Sequence, residues 1–182
     1  MENFLLERDR GGFPDIGVVV SSNPDVRGCE VARGAGLPLV VVGRDKGYDP
    51  FPTLDAAGVD LVCLAGWLKR LSVPAGYENR IMNVHPSLLP SFGGLGCYGS
   101  RVHEMVLKRG CKVTGCTVHF VDNNYDHGPI ISQGSVPVLE TDDPSTLAAR
   151  VFREECLAYR EAVRMFASGR LRVEGSTVRV AG

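Results

Sequence analysis

Four short apolar runs dominate the first half of the chain, at residues 16–20, 39–42, 61–65 and 81–84. Each is apolar at consecutive positions, is rich in Val, Ile or Leu, and is bounded by turn residues. Strands buried on both faces read this way, as parallel strands between helices do. Between the first two runs, Val26, Cys29 and Val31 lie on a helical spacing, with Asp25 placed to cap the start and Gly34 and Gly36 to end it. This predicts a β-α-β unit. The next crossover, 43–59, has only seventeen residues and contains Pro50 and Pro52. It leaves room for one or two helical turns around 53–57, close to the minimum for joining parallel strands.

The second half reads differently. A proline- and glycine-rich stretch, 86–100, precedes a helix over 101–109 that Gly110 ends. Two strands, 113–121 and 130–138, flank a connection at 122–129, which predicts an antiparallel pair with a long, structured link. Asp143-Pro144-Ser145-Thr146 marks a helix start with proline in the first turn. Leu147, Val151, Tyr159, Ala162, Val163 and Phe166 continue that helix as a stripe, and Gly169 closes it. The tail, 171–173 and 177–180 around Glu174-Gly175-Ser176, reads as a small hairpin. The class is α/β, a mostly parallel twisted sheet with helices on both faces and an antiparallel C-terminal part. No internal repeat or low-complexity linker interrupts it.

Composition narrows the function classes. With 182 residues, 44% hydrophobic and 23% charged, the chain fits one ordinary globular domain, 1–182, rather than a disordered segment. A formal net charge of −1 removes the electrostatic case for nucleic acid or an anionic membrane. The six cysteines form no CxxC pair, and four lie in apolar or helical segments, as free buried thiols do. A reducing cytoplasm and no metal site are the simplest expectation. The start, MENFLLERDR, is charged and amphipathic, with no signal-peptide core, and no apolar run approaches a membrane span.

Three stretches carry chemistry. In Met82-Asn83-Val84-His85-Pro86-Ser87-Leu88-Leu89-Pro90, Asn83 and His85 stand two residues apart at the carboxyl end of a strand. They point to one side, and that end of an open α/β sheet faces the ligand crevice. An amide donor beside an imidazole suits attack on a carbonyl-like carbon; taken alone, such a pair is more often a hydrogen-bonded loop anchor than a catalyst. In the second stretch, 117–129, Asp126 stands two positions before Gly128-Pro129 and is placed to hydrogen-bond a catalytic imidazole and favour its protonated form; the plainer alternative is an Asx turn. His119 reads as packed inside a strand, His127 as solvated at a loop tip, and His103 as surface or partly buried on a helix. In the third, 64–71, Trp67, Leu68 and Leu71 are placed to wall a pocket for a flat heterocycle, or else form ordinary core beside a solvated Lys69-Arg70 pair.

Together these stretches resemble the phosphoribosylglycinamide formyltransferase family. The residues that carry the likeness are AGWLKRLS (65–72), NVHPSLLPSF (83–92), GCTVHFVDNNYDHGPII (115–131) and RVFREECLAY (150–159). The likeness runs from about residue 18 to 180. It implies a Rossmann-like formyltransferase fold and direct formyl transfer from 10-formyltetrahydrofolate, as co-substrate, to the amine of glycinamide ribonucleotide in purine synthesis. It implies that Asn83, His85 and Asp126 are the catalytic trio, with Asp126 orienting His85 through a bound water. It further implies that Leu68, Lys69, Arg70 and Leu71, with Asn83, contact the folate, and that Asn3 and Glu155 contact the nucleotide. Partners are then small molecules, with no nucleic acid, membrane or metal, and the protein is a monomer or homodimer. Two other readings share the trio: a formyltransferase for a sugar-nucleotide amine, and a folate-binding remnant without activity.

The sequence departs from the family in three places. The family begins with a strand and a Gly-x-Gly-[Ser/Thr]-Asn loop that cradles a phosphate at a helix N-terminus; here Asn3 matches the end of that loop and a helix follows over 4–10. The chain thus reads as N-terminally truncated relative to the family, with a recorded start that lies too late. The crossover at 43–59 is short, and Arg44 finds no family counterpart. A glycine-rich segment, 93–99, is inserted beside the site and reads as a flexible cover.

Overall fold

The structure, a computed structural model, describes residues 1–42 and 48–182. Arg44 therefore lies outside the described residues. Contacts divide the chain into two units, Met1–Arg70 and Leu71–Gly182.

The first unit holds α1 (Glu2–Asp9), β1 (Val19–Ser21), α2 (Arg27–Gly34), β2 (Leu39–Val41), α3 (Phe51–Ala56) and β3 (Val62–Leu64). β1 and β2 pair in parallel, with Val19 opposite Leu39 and Ser21 opposite Val41. Helix α2 is their crossover and buries Cys29 and Ala32, so the predicted β-α-β unit is present. Its start differs from expectation. Val26, with extended backbone, is the N-cap and no side chain caps the helix. The Asp25 N–H instead donates to Asn23 Oδ1 at 3.0 Å, an Asx turn that competes with capping. Helix α3 begins at Phe51 rather than 53, because Asp49 Oδ1 accepts the Phe51 N–H at 3.0 Å and Pro52 suits a first turn.

The second unit holds β4 (Ile81–His85), α4 (Ser100–Arg109), β5 (Val113–Phe120), β6 (Ile130–Pro137), α5 (Pro144–Ala167), β7 (Leu171–Glu174) and β8 (Thr177–Val180). Its strands lie in the order β4-β5-β6-β8-β7. β4 and β5 run antiparallel, placing Asn83 opposite His119 and His85 opposite Thr117. β5 and β6 are antiparallel too, with a register irregularity between Val118 and His119. β8 joins β6 in parallel and β7 in antiparallel fashion. The α/β class, with parallel pairing early and an antiparallel run late, is as the pattern predicts.

Alternation along β5 sorts its side chains onto two faces. Cys116 joins Val136, Val106 of α4, and Leu147 and Val151 of α5 in one core cluster. Thr117 and His119, from the opposite face, are nevertheless buried. Helix α5 starts as its sequence predicts. Asp143 Oδ1 accepts the N–H groups of Ser145 and Thr146 at 2.8 and 2.9 Å, and Thr146 Oγ1 accepts the Asp143 N–H at 3.0 Å, a reciprocal capping box. It ends at Gly169, whose φ of 68° is one that glycine adopts without a Cβ clash.

Helix and sheet are also tied by a polar bond. The buried Tyr159 hydroxyl donates to the Met82 carbonyl at 2.9 Å, next to Asn83. Tyr159→Phe is expected to cost about 1 kcal/mol, since it removes one buried hydrogen bond without a change of volume. Urea unfolding of the two proteins reads this; an unchanged midpoint would show that the bond carries no net stability.

Candidate functional site

The site is built by two strands and two loops of the second unit. Asn83 and His85 share one face of β4, and Asp126 comes from the β5–β6 connection. Asp126 Oδ2 lies 3.5 Å from His85 Nδ1, and Oδ1 lies 3.7 Å from His119 Nε2. Asn83 Nδ2 is 3.3 Å from that same His119 Nε2. Three predicted residues therefore converge, and a fourth, His119, stands among them.

Ring nitrogens can be assigned from their partners. His119 Nδ1 is 2.8 Å from the Phe120 carbonyl, which only accepts, so Nδ1 carries the hydrogen. Nε2 is then a bare acceptor, and the Asn83 amide donates to it. His119 is 2% exposed, and burial, the largest cause, holds its pKa below the ordinary histidine value despite the Phe120 carbonyl and the Asp126 charge. Its approach to Asp126 is thus no ion pair; His119 is a neutral acceptor that fixes the rotation of the Asn83 amide and leaves the second amide N–H free of it. His85, 3% exposed, donates from Nε2 to the Phe92 carbonyl at 2.9 Å. Nδ1 is the nitrogen left to gain or lose a proton, and it faces the carboxylate.

Asp126 is held in turn. Its Oδ2 accepts the Gly94 N–H at 2.8 Å. Its loop is fastened by Asp122, whose Oδ1 accepts the Asn124 N–H at 2.7 Å and whose Oδ2 accepts from His127 Nδ1 at 2.9 Å. Gly128 lets the loop return against β5: a Cβ there would meet the Phe120 oxygen. Phe92 and Asp126 both adopt left-handed backbone, with φ of 55° and 54°, a conformation that costs non-glycine residues energy and gathers at functional sites.

The remaining predicted residues lie elsewhere. Leu68, Lys69 and Arg70 follow β3 at the end of the first unit, and Leu71 opens the second. Leu68 is exposed, and the neighbouring Trp67 buries its indole N–H with no hydrogen-bond partner among the described residues. Asn3 lies in α1. Glu155 lies in α5, where burial raises its carboxyl to about 7. His103, expected at or near the surface, is buried at 5% exposure. Burial chiefly, and then the nearby His85 charge, lower its pKa. His127 is exposed, as its loop position predicts, although Asp122 holds it. All six cysteines are free. Among the described residues, no group of three His, Cys, Asp or Glu side chains is disposed to hold a metal ion. Sequence reasoning missed His119; the signal was its strand periodicity, which puts it on one face with Thr117.

The formyl transferase family profile matches residues 4–163. The chain belongs to the formyl transferase family. Within it, the chain is 40% identical over 168 residues to the chloroplastic phosphoribosylglycinamide formyltransferase of Arabidopsis thaliana, covering 87% of this chain and 58% of that protein. The counterpart from Vigna unguiculata is also 40% identical, over 86% of this chain and 53% of its own length. The chain thus spans little more than half of these relatives. Among solved structures, glycinamide ribonucleotide transformylase 1 of Symbiobacterium toebii superposes with a TM-score of 0.90 and 41% identity, over 100% of this chain and 88% of that one. A formyltetrahydrofolate deformylase from Burkholderia mallei reaches a TM-score of 0.86 at 29% identity, over 100% of this chain and 65% of that one. The Rossmann-like formyltransferase fold is therefore shown.

Two expectations follow for titration. Histidine NMR should find His103 and His119 still neutral as pH falls through 6.5, with His119 as the Nδ1–H tautomer; titration at or above 6.5 would contradict this burial. Glu155 works in the opposite direction. Its folded pKa lies above the unfolded value, so its contribution is most favourable at low pH and is lost as pH rises through about 7. Glu155→Gln should therefore leave stability unchanged near pH 4 and raise it near pH 8, by an amount on the order of 2 kcal/mol. Thermal melts at the two pH values read this, and equal shifts at both would contradict it.

Proposed function

We propose that this chain transfers the formyl group of 10-formyltetrahydrofolate to the primary amine of glycinamide ribonucleotide, a step of de novo purine biosynthesis. The observation that carries the reading is the convergence of the Asn83 amide, the His85 imidazole and the Asp126 carboxylate. The names of the Arabidopsis thaliana and Vigna unguiculata relatives and of the Symbiobacterium toebii structure support the same acceptor.

Each group has a role that its partners define. The neutral amine attacks the formyl carbon, and the carbonyl oxygen becomes the oxyanion of a tetrahedral intermediate. Asn83, with one N–H committed to His119, offers the other to that oxygen. The amine's proton passes to His85 Nδ1, and Asp126 offsets the resulting charge. Collapse expels the folate nitrogen, which takes that proton back. The formyl–folate bond breaks, the formyl–amine bond forms, and the protein ends as it began.

Leu68, Lys69, Arg70 and Leu71 are assigned to the folate; the Trp67 N–H beside them, without a hydrogen-bond partner among the described residues, suits a ligand with an acceptor. Asn3 and Glu155 are assigned to the nucleotide, and a half-buried carboxyl without a hydrogen-bond partner among the described residues suits ligand hydroxyls. Among the described residues, no helix is long and apolar enough to cross a membrane. Six free cysteines suit a reducing compartment, and we assign the protein to the cytoplasm, as a monomer or homodimer acting on small molecules.

His85→Ala and Asp126→Asn are expected to lower turnover by roughly 10²–10⁴-fold, the usual worth of a positioned acid–base group, with the circular dichroism of the folded chain retained. Asn83→Ala should cost about 10²–10³-fold. The assay offers glycinamide ribonucleotide, an amino-sugar nucleotide, or water alone as acceptor. Near-native turnover in the His85 or Asp126 variant, or formyl release to water at the same rate without an amine, would overturn the reading.

A further inference from the structure

His85 faces the Asp126 carboxylate at Nδ1, 3.5 Å away, and is hydrogen-bonded at Nε2 to a backbone carbonyl, that of Phe92. This carbonyl belongs to a loop, and Phe92 itself sits in the left-handed region, where a phenylalanine does not stay without help. The loop's anchorage lies on β6 and β5, outside the trio. We propose that Gln133 is a positioning residue for His85: it clasps the loop of residues 87–92 through Thr117 and Leu89, and so fixes the carbonyl that sets the His85 tautomer.

The clasp is made by one amide nitrogen and one hydroxyl. Gln133 Nε2 donates to the Leu89 carbonyl at 3.0 Å and to Thr117 Oγ1 at 3.0 Å. Thr117 Oγ1 also accepts the Leu89 N–H at 2.9 Å and donates to the Ser87 carbonyl at 2.7 Å. One hydroxyl thus accepts twice and donates once, which is its full capacity. Ser87 adds a bond from its own hydroxyl to the Ser91 carbonyl, one residue before Phe92. Strand register brings the parts together, since Gln133 is opposite Thr117 on β5 and Thr117 is opposite His85 on β4. Thr117 and Ser87 are fully buried, where hydrogen bonds are strong and an unmade one is costly. Gln133 is not: its residue is exposed on the solvent side, so its replacement opens no core cavity.

The consequence concerns the state of His85 rather than the existence of the fold. With the clasp intact, the Phe92 carbonyl holds a hydrogen on Nε2 and leaves Nδ1 to Asp126. With the clasp broken, the loop backbone is released, and the other neutral tautomer, with its hydrogen on Nδ1 and directed at Asp126, competes. In that tautomer Nδ1 has no vacancy for the amine's proton.

The kinetic part of this inference rests on the formyl-transfer reading; the tautomer part does not. The test uses the full chain, labelled with ¹⁵N-histidine, as wild type, Gln133→Leu, Thr117→Val and Thr117→Ser. His85 is assigned through a His85→Asn variant. In the free protein at pH 8, wild type and Thr117→Ser should show His85 as the Nε2–H tautomer, while Gln133→Leu shows a mixture. Turnover of Gln133→Leu should fall tenfold or more, with KM for both substrates within twofold and a melting temperature within a few degrees of wild type. Combining Gln133→Leu with Thr117→Val should cost no more turnover than the worse single change, because both break one clasp. Thr117→Val strips partners from two buried backbone groups and risks unfolding; Gln133→Leu and Thr117→Ser keep the test decisive without it. An unchanged His85 tautomer in Gln133→Leu overturns the proposal, as does a loss confined to KM or matched by loss of folded protein. Wild type inactive toward every acceptor, with the tautomer shift present, would sink formyl transfer and leave the role of Gln133 standing.

Discussion

One carboxylate, set between two imidazoles in different states, is the constraint from which the rest of the site follows. Asp126 presents Oδ2 to His85 and Oδ1 to His119, and a partly buried carboxylate needs partners to offset its desolvation. The Gly94 N–H supplies one fixed partner. That bond ties the β5–β6 loop to the loop after β4, so two segments distant in sequence are positioned by a single side chain. His119, though buried against the same carboxylate, spends its hydrogen on the Phe120 carbonyl and remains an acceptor toward Asn83. Each neighbour of the carboxylate is thus given a different hydrogen-bonding state by a backbone group of its own.

The sheet makes this arrangement repeatable from the sequence. Antiparallel register places Asn83 against His119 and His85 against Thr117, so alternate residues of two strands form one polar face. The opposite face, with Cys116 and Val118, is apolar and buried beneath helices that contribute Val106, Leu147 and Val151. Hydrophobic burial on one face therefore fixes a polar constellation on the other, because a slip of one residue would exchange the faces. The loops bring the remaining parts at the expense of two left-handed residues, Phe92 and Asp126, a cost of roughly 1–3 kcal/mol each that only a well-bonded surround sustains.

How much of this was legible in the sequence varies with the range of the interaction. The antiparallel pair, α4, α5 and the tail hairpin are written in local periodicity, and the Asp143 cap is spelled by four consecutive residues. The start of α2 differs from its sequence pattern: Val26, not Asp25, is the N-cap, and the Asp25 N–H is held by Asn23, a choice between nearby turn-formers that propensity alone does not decide. Asn83, His85 and Asp126 were legible through motif and resemblance, and the structure brings them together. The burial of His103 was not legible, since an exposed and a buried helical histidine look alike without the neighbouring elements. The function of His119 required register: only the pairing with Asn83 distinguishes a packed histidine from one that orients an amide. Leu68, Lys69, Arg70, Leu71, Asn3 and Glu155 entered by resemblance alone, and their roles belong to the proposed function.

The distribution of protons in the cluster then has a directional consequence. His103 and His119 are both pushed toward neutrality, and burial is the larger cause for each. A charge on either would have to be carried in surroundings that solvate it poorly. Asp126, by contrast, is hydrogen-bonded as an acceptor on the oxygen nearest His85. In the proposed reaction the proton is assigned to the ring nitrogen of His85 that faces this carboxylate at 3.5 Å. In that reaction, His103 and His119, both pushed toward neutrality by burial, would not compete for that proton.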